Sequence, residues 1–530
     1  MSVYRRVFAA GLAALLLVLV GVSAARSEPA AAPPTQAADP RFGVVEAHDA
    51  PARATELGVS WSRARFHWAN IQPDGPDGWI DAELTEDELA GELEAGREAV
   101  GLLIGVPAWA ADENGLPAGL YLPPEDEGNL WAGFVRTVVS RYAGKIDHWI
   151  VWNEPDVWDA THPAFSWPGT VEDYVQLLKV TALTAREANP DAVIHLAAVS
   201  HWWDVQFGRE LYFPQLLDAI LADPDAAANG YFYDVATVHL YFNPATVYEV
   251  IKQYRAEQEA RGIDKPFWLV ETNAPPTNDP AWPVADITFR VSLLEQAAYM
   301  PQALSLALAA DAERVAIYKL VDTPGDLTAN PEPFGLVRED GTYRPAFATA
   351  QVAMRLLAGA EMVTWAGQGA TSQVVVEKPG EVVRILWNRT PDAQEAVIPV
   401  LGESAVLVDM WGNQAQVAPQ GGGYTIPLYA GECQETVGDY CMVGGPPVYV
   451  VEQVDPSAAL GGGLPGPDEV RPMPRNANAP VARDGGIGGR SWQWWAMLIL
   501  VVALATFFEL RVRRGIARRL REKAEEESDS

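Results

Sequence analysis

The chain has 530 residues, too long for one small core and long enough for a barrel with an accessory domain. Hydrophobic residues make up 49% and aromatics 10%, so a large core can form and global disorder is excluded. The 38 basic and 70 acidic residues leave −32 overall, and the folded region has no basic run; this rules against a nucleic-acid partner, which needs a patch that releases phosphate counterions.

In chain order, residues 1–25 read as a secretory signal. Arg5 and Arg6 precede the apolar stretch Val7–Val20, and small residues follow at Val22-Ser23-Ala24. An Ala/Pro-rich linker, 26–40, comes next. From 41 to 358, short β-rich runs alternate with longer amphipathic stretches. The strand expectations are Phe42–Ala47, Val59–Ala64, Gly101–Val106, Ile146–Trp152, Val193–Val199, Val235–Leu240, Phe267–Glu271 and Val315–Leu320. Helices are expected at Glu83–Val100, Leu130–Tyr142, Val171–Ala188, Val247–Arg261, Phe289–Ala309 and Pro345–Leu357. Eight such units predict an α/β fold, a (β/α)8 TIM barrel. A doubly wound open sheet would usually carry a Gly-rich phosphate loop after its first strand, and none is present.

After Ala358 the texture becomes short alternating runs broken by Gly, Asn and Pro, which predicts a small all-β sandwich-like module over 359–454. Its Cys433 and Cys441 are the chain's two cysteines and could close a short disulfide in an oxidising compartment. No His joins them at ligand spacing, so no metal site is expected there. A Gly/Pro-rich stalk, 455–490, leads to an apolar segment expected to be a C-terminal transmembrane helix, 491–510. The basic residues of 511–530 place that tail in the cytoplasm and the large domain outside it, giving a single-pass protein of the cell membrane.

Two carboxylates stand at predicted strand ends: Glu154 in Val151-Trp152-Asn153-Glu154-Pro155 and Glu271 in Trp268-Leu269-Val270-Glu271-Thr272. In a barrel the C-terminal strand ends ring one site, so these two can face each other. Cleaving a glycosidic bond needs such a pair: one carboxyl protonates the leaving oxygen, and the other attacks the anomeric carbon or activates water.

Here the sequence resembles the retaining (β/α)8-barrel glycoside hydrolases of the Asn-Glu-Pro clan, of the family-39 and family-5 types. The resemblance covers roughly 41–358. It rests on Asn153-Glu154-Pro155 at strand four and Glu271 at strand seven, and on the strand-two segment Leu57 to Phe66 with Trp68 and Ile71-Gln72-Pro73. Gly105-Val106-Pro107-Ala108-Trp109, Val238-His239-Leu240-Tyr241, and Phe334-Gly335-Leu336 through Arg344-Pro345-Ala346 extend it. The resemblance implies that Glu154 is acid/base and Glu271 nucleophile, with Arg63 supporting the nucleophile and Asn153 meeting the sugar 2-hydroxyl. Arg65 takes the Arg63 role if the register slips by two. His239, Tyr241 and Trp109 are further candidates for the substrate site. No cofactor or metal is needed. One departure is clear: strand eight commonly ends in a Trp, whereas this chain has Tyr318-Lys319-Leu320.

Nineteen tryptophans favour a saccharide cleft as a group, with Trp109, Trp158, Trp167, Trp202, Trp203 and Trp282 in expected strand-end loops. The expected partner is an oligo- or polysaccharide. A surface carbohydrate-binding barrel without catalysis, or a transglycosylase that remodels envelope polysaccharide, fits the same residues. Sugar, linkage and oligomeric state are open at this level.

Overall fold

The structure is a computed structural model and describes residues 38–285, 287–326, 332–402, 404–455 and 469–472. Eight parallel strands form the first sheet: β1 (Phe42–Val45), β2 (Trp61–His67), β3 (Glu98–Ile104), β4 (His148–Val151), β5 (Val193–His195), β6 (Ala236–Tyr241), β7 (Phe267–Asn273) and β8 (Ala312–Ile317). Their order is β5-β4-β3-β2-β1-β8-β7-β6. Single bridges from His195 to Val235 and from Val199 to Val238 join the two ends, so the ring closes. Strands such as β3 and β7 are buried on both faces, which is why they read as continuous apolar runs rather than alternating ones.

The barrel packs by pairing absent side chains with large ones. A Cβ on Gly43 would lie 2.3 Å from the Trp61 ring, and one on Gly101 would lie 2.3 Å from Trp149. These two glycines leave room for buried indoles that a larger residue would displace. At the strand-start end, Trp268 sits against Trp61 at 5.3 Å, stacks on His148 at 5.0 Å and lies under the Arg314 guanidinium at 4.3 Å.

Helices Leu130–Tyr142, Val171–Ala188 and Pro345–Leu357 stand where the apolar periodicity puts them. The expected Glu83–Val100 helix is shorter, Glu86–Glu94, because Gly96 adopts φ 76 and turns the chain into β3. The β5–β6 connection holds two helices that were not expected, Trp202–Phe207 and Tyr212–Ala222. Helix Leu293–Ala309 is buried at every position from Glu295 to Ala309. An apolar surface all round the axis needs cover all round, and here the second module supplies part of it.

That module contains β9 (Met362–Gln368), β10 (Thr371–Lys378), β11 (Glu381–Asn388), β12 (Gln394–Pro399), β13 (Ala405–Asp409), β14 (Gln414–Val417), β15 (Gly423–Leu428), β16 (Thr436–Val437), β17 (Tyr440–Cys441), β18 (Val448–Gln453) and β19 (Glu469–Pro472). A six-stranded sheet, β14-β13-β18-β11-β10-β9, faces a three-stranded one, β15-β12-β19. Alternation along β11 serves both sides: Ile385 joins the barrel's hydrophobic cluster, and its neighbour Leu386 joins the core between the two sheets.

The expectation of a transmembrane helix is corrected. Among the described residues no helix is long and apolar enough to cross a membrane. The 17-residue apolar helix Leu293–Ala309 is buried in protein, and the 18-residue Val171–Ala188 is amphipathic. The architecture is therefore a (β/α)8 barrel with a β-sandwich module. The signal segment 1–25, most of the 26–40 linker and stalk, the 491–510 segment and the tail 511–530 lie outside the described residues.

Candidate active site

The C-terminal ends of the strands surround a cavity of about 750 Å³. Glu154 enters it from the loop after β4. Trp152 N–H donates to Leu103 O (2.9 Å) on β3 and Glu154 N–H donates to Ala198 O (3.0 Å) beyond β5, so both neighbouring strands hold the loop. Ser166 Oγ donates to Asn153 O (2.8 Å), and Trp152 Nε1 donates to Ser166 Oγ (3.1 Å). Backbone strain concentrates here. Glu46, Glu154, His201 and Phe242 all carry positive φ, 59, 43, 58 and 64 respectively, and all four line the cavity. Such conformations cost free energy and persist where the surroundings impose them, commonly at functional sites.

Glu271 stands on β7 with its side chain 8% exposed, and Arg63 on β2 forms an ion pair with its Oε1. Tyr241 OH, at the end of β6, donates to the other oxygen, Oε2. His239 Nδ1 lies 2.7 Å from Glu154 Oε1 and 3.4 Å from Glu271 Oε2, between the two carboxylates. Arg63 Nη1 reaches His239 Nε2 at 3.4 Å, and a guanidinium can only donate. The ring nitrogen therefore accepts there and carries its proton on Nδ1, directed at the carboxylates. One carboxylate oxygen of Glu154, one of Glu271 and one ring nitrogen of His239 all lie within 4.8 Å of one another.

Burial pushes the Glu271 carboxyl up, but the Arg63 guanidinium, the His239 ring and the Tyr241 hydroxyl outweigh it and hold it below its ordinary value. Tyr241 is held far above the usual phenol range by desolvation and then by the charge of Glu271, so it remains a donor. The three ligand-type residues could in principle surround a cation. The Arg63 charge already occupies that electrostatic position, in contact with Glu271 and 3.4 Å from His239.

The structure thus brings Arg63, Asn153, Glu154, His239, Tyr241 and Glu271 to one cavity. Asn153 makes no side-chain hydrogen bond within the protein among the described residues, leaving its amide available. Arg65 is not on Glu271; it pairs with Glu46 at 3.1 Å, half-exposed at the rim. Trp109 does not line the cavity. Its indole N–H donates to Gln72 O (2.7 Å) and its ring packs edge-on against Trp68 at 5.6 Å, a scaffold contact under the β3 loop.

Several lining residues were not among the candidates for the site. Glu46, at the end of β1, is raised by burial but pulled down to about 2, chiefly by Lys319 at 2.7 Å. Tyr318 occupies the strand-eight end and packs edge-on to Phe334 (5.2 Å) and Tyr241 (6.2 Å). Val437 and Met442 come from the β-module. For Glu46 and Tyr318 the signal was available, since each sits at a strand end. For Val437 and Met442 nothing in the local pattern marks them.

Comparison with known proteins bears on this arrangement. A family 39 glycoside hydrolase from the gut symbiont Bacteroides cellulosilyticus WH2 superposes with a TM-score of 0.57 at 16% identity, over 78% of this chain and 81% of that one. The chain has the fold of the (β/α)8 glycoside hydrolases. A glucosidase from Croceicoccus marinus gives a TM-score of 0.50 at 12% identity, over 76% of this chain and 92% of that one. In sequence, 158 residues, 28% of this chain, are 25% identical to the chloroplastic beta-glucosidase-like SFR2 of Oryza sativa subsp. japonica. That match spans 23% of the relative's length. No family model matches the chain. The barrel expected from the strand-end motifs is thus matched at the level of the fold.

Proposed function

We propose that this protein is a retaining glycoside hydrolase, with Glu271 as nucleophile and Glu154 as acid/base. The observation that carries the reading is the closeness of the two carboxylates, one oxygen of each lying within 4.8 Å of the other. Retaining enzymes hold the pair at about 5 Å, whereas inverting enzymes leave a larger gap for a water. Glu271 is kept ionised by Arg63 and Tyr241, as an attacking carboxylate must be. Glu154 accepts the His239 Nδ1–H on Oε1, which leaves its other oxygen to carry the proton for the leaving group.

In the first step a Glu271 oxygen bonds to the anomeric carbon as the glycosidic C–O bond breaks, and the Glu154 proton passes to the departing oxygen. In the second, Glu154 takes a proton from water, the hydroxide oxygen bonds to the same carbon, and the ester to Glu271 opens. Asn153 lines the same cavity, which supports giving it the sugar 2-hydroxyl, where contacts strengthen in the transition state. The substrate is a saccharide or glycoside. The closed Cys433–Cys441 pair supports a setting outside the reducing cytoplasm.

The test is mass spectrometry of the folded protein after exposure to a panel of 2-deoxy-2-fluoro glycosides. A covalent adduct on Glu271, absent in Glu271→Gln, is the expected result. Bound sugar without any adduct would move the reading to a carbohydrate-binding barrel.

A further inference from the structure

One hydroxyl in the catalytic cavity has no task in the proposed mechanism. Tyr318, the residue after β8, is tied to the nucleophile strand by its backbone. Its N–H donates to Thr272 O (3.2 Å), and its carbonyl accepts from Asn273 Nδ2 (2.6 Å); these two residues follow Glu271 on β7. Ring contacts hold the side chain: Phe334 lies 5.2 Å away and Tyr241 6.2 Å away, both edge-on. The ring therefore stands beside the nucleophile, and it lines the cavity.

The Tyr318 hydroxyl itself is unpaired. Among the described residues it makes no hydrogen bond within the protein, whereas the Tyr241 hydroxyl is bound to Glu271. Glu271 has no use for a second phenol, since Arg63 takes one of its oxygens and Tyr241 the other. Burial first, then the charges of Glu271 and Glu46, hold the Tyr318 phenol above its ordinary range, so it keeps a proton to donate. A largely enclosed tyrosine hydroxyl usually has a partner, and here the cavity offers the room for one. The next residue, Lys319, holds Glu46 at 2.7 Å, which sets an ionised carboxylate at the same corner of the cavity. That corner combines a free donor with a fixed acceptor. Neighbouring hydroxyls of a sugar ring, each able to donate and to accept, suit such a pair.

We propose that Tyr318 is a specificity-determining residue: its hydroxyl donates to one hydroxyl of the glycone that Glu271 attacks, and Glu46 accepts from the neighbouring hydroxyl of the same ring. The inference rests on the hydrolase reading, because Glu271 as nucleophile is what brings the glycone against Tyr318. A sugar that lacks the hydroxyl leaves the phenol unpaired in an enclosed site, and the enzyme discriminates against it on that ground.

The experiment uses the full chain and 4-nitrophenyl glycosides of glucose, galactose, mannose, xylose and arabinose. For whichever reacts, its monodeoxy forms follow, each assayed with wild type and with Tyr318→Phe. Phenylalanine keeps the ring contacts and removes the hydroxyl alone. The substitution is expected to lower kcat/KM for the parent glycoside by roughly five- to a hundredfold. One deoxy glycoside other than the 2-deoxy form should show a similar loss in wild type and no further loss in Tyr318→Phe. The 2-deoxy form, whose missing group is given to Asn153, should instead respond to the substitution as the parent does. Tm should not change, because the hydroxyl has no partner in the protein. An equal loss for the parent and every deoxy glycoside, no loss at all, or a fall in Tm overturns the glycone contact while leaving the hydrolase reading intact. So does a wild type indifferent to removal of every hydroxyl but the 2-hydroxyl. No turnover of any glycoside by the wild type overturns both.

Discussion

Arg63 and Glu271 are each more than nine-tenths buried, and a buried ion pair is far more sensitive to loss of one member than its net contribution suggests. Arg63→Met removes the charge that holds Glu271 below its ordinary value. Because the nucleophile must be ionised, the acidic limb of kcat/KM should move to higher pH in that variant, and kcat/KM at neutral pH should drop by about a hundredfold or more, on the order of 3 kcal/mol. A pH–rate profile of wild type and variant checks both. Behind the acid/base loop, Asp156 is raised to about 7 by burial first and then by the charge of Glu154, against two hydrogen bonds from Ser200. The unfolded chain binds fewer protons at this site between roughly pH 4 and 7, so native stability falls as pH rises through that window. Asp156→Asn keeps an acceptor for Ser200 and should raise Tm at pH 8 while changing it little at pH 4, as followed by thermal melts across pH.

At the scale of elements, the hairpin of β16 and β17 is short and could not hold its shape without anchors. Closing the loop between Cys433 and Cys441, eight residues apart, restricts the unfolded chain by about 2–3 kcal/mol in the chain-entropy account. Cys433→Ser/Cys441→Ser should lower Tm by a few degrees and raise KM more than it lowers kcat, because the wall loosens while Glu154 and Glu271 stay in place. Steady-state kinetics of the double variant, beside a melt, separates the two effects. The same element shows why sequence reading stopped where it did. Glu154, His239, Tyr241 and Glu271 were legible because each ends a β-rich run, and barrel topology alone converges those ends. Trp109 satisfied the same rule yet turns away, since an indole N–H near a free carbonyl, here Gln72 O, has a partner inside the scaffold. Val437 and Met442 obey no strand-end rule. They reach the cavity through packing between modules, which one-dimensional periodicity does not record.

For the whole molecule, the apolar texture of Leu293–Ala309 predicted a helix and concealed what covers it. The sequence divides at Ala358 by texture, but the hydrophobic core does not: Val374, Val376, Val383, Ile385, Trp387 and Tyr449 of the module belong to the barrel's own cluster. A protein ending at Ala358 would expose that surface and leave Gln302 without Gly444 and Gly445. Such a truncation is expected to be insoluble or to lose the cooperative melt of the full chain, as calorimetry and light scattering would show.

The ring itself is uneven. Seven of its joints are ladders of several residues, while β5 and β6 meet through the His195–Val235 and Val199–Val238 bridges and scattered backbone hydrogen bonds such as Leu196 N–H to Val235 O (3.0 Å). This irregular seam is also where the site is tied down: His239 N–H donates to Val199 O (3.1 Å) and Glu154 N–H to Ala198 O (3.0 Å). Arg63, by contrast, is laddered between β1 and β3 on the opposite half. The weld that shuts the hoop and the bolts that seat the acid and its histidine are therefore one and the same.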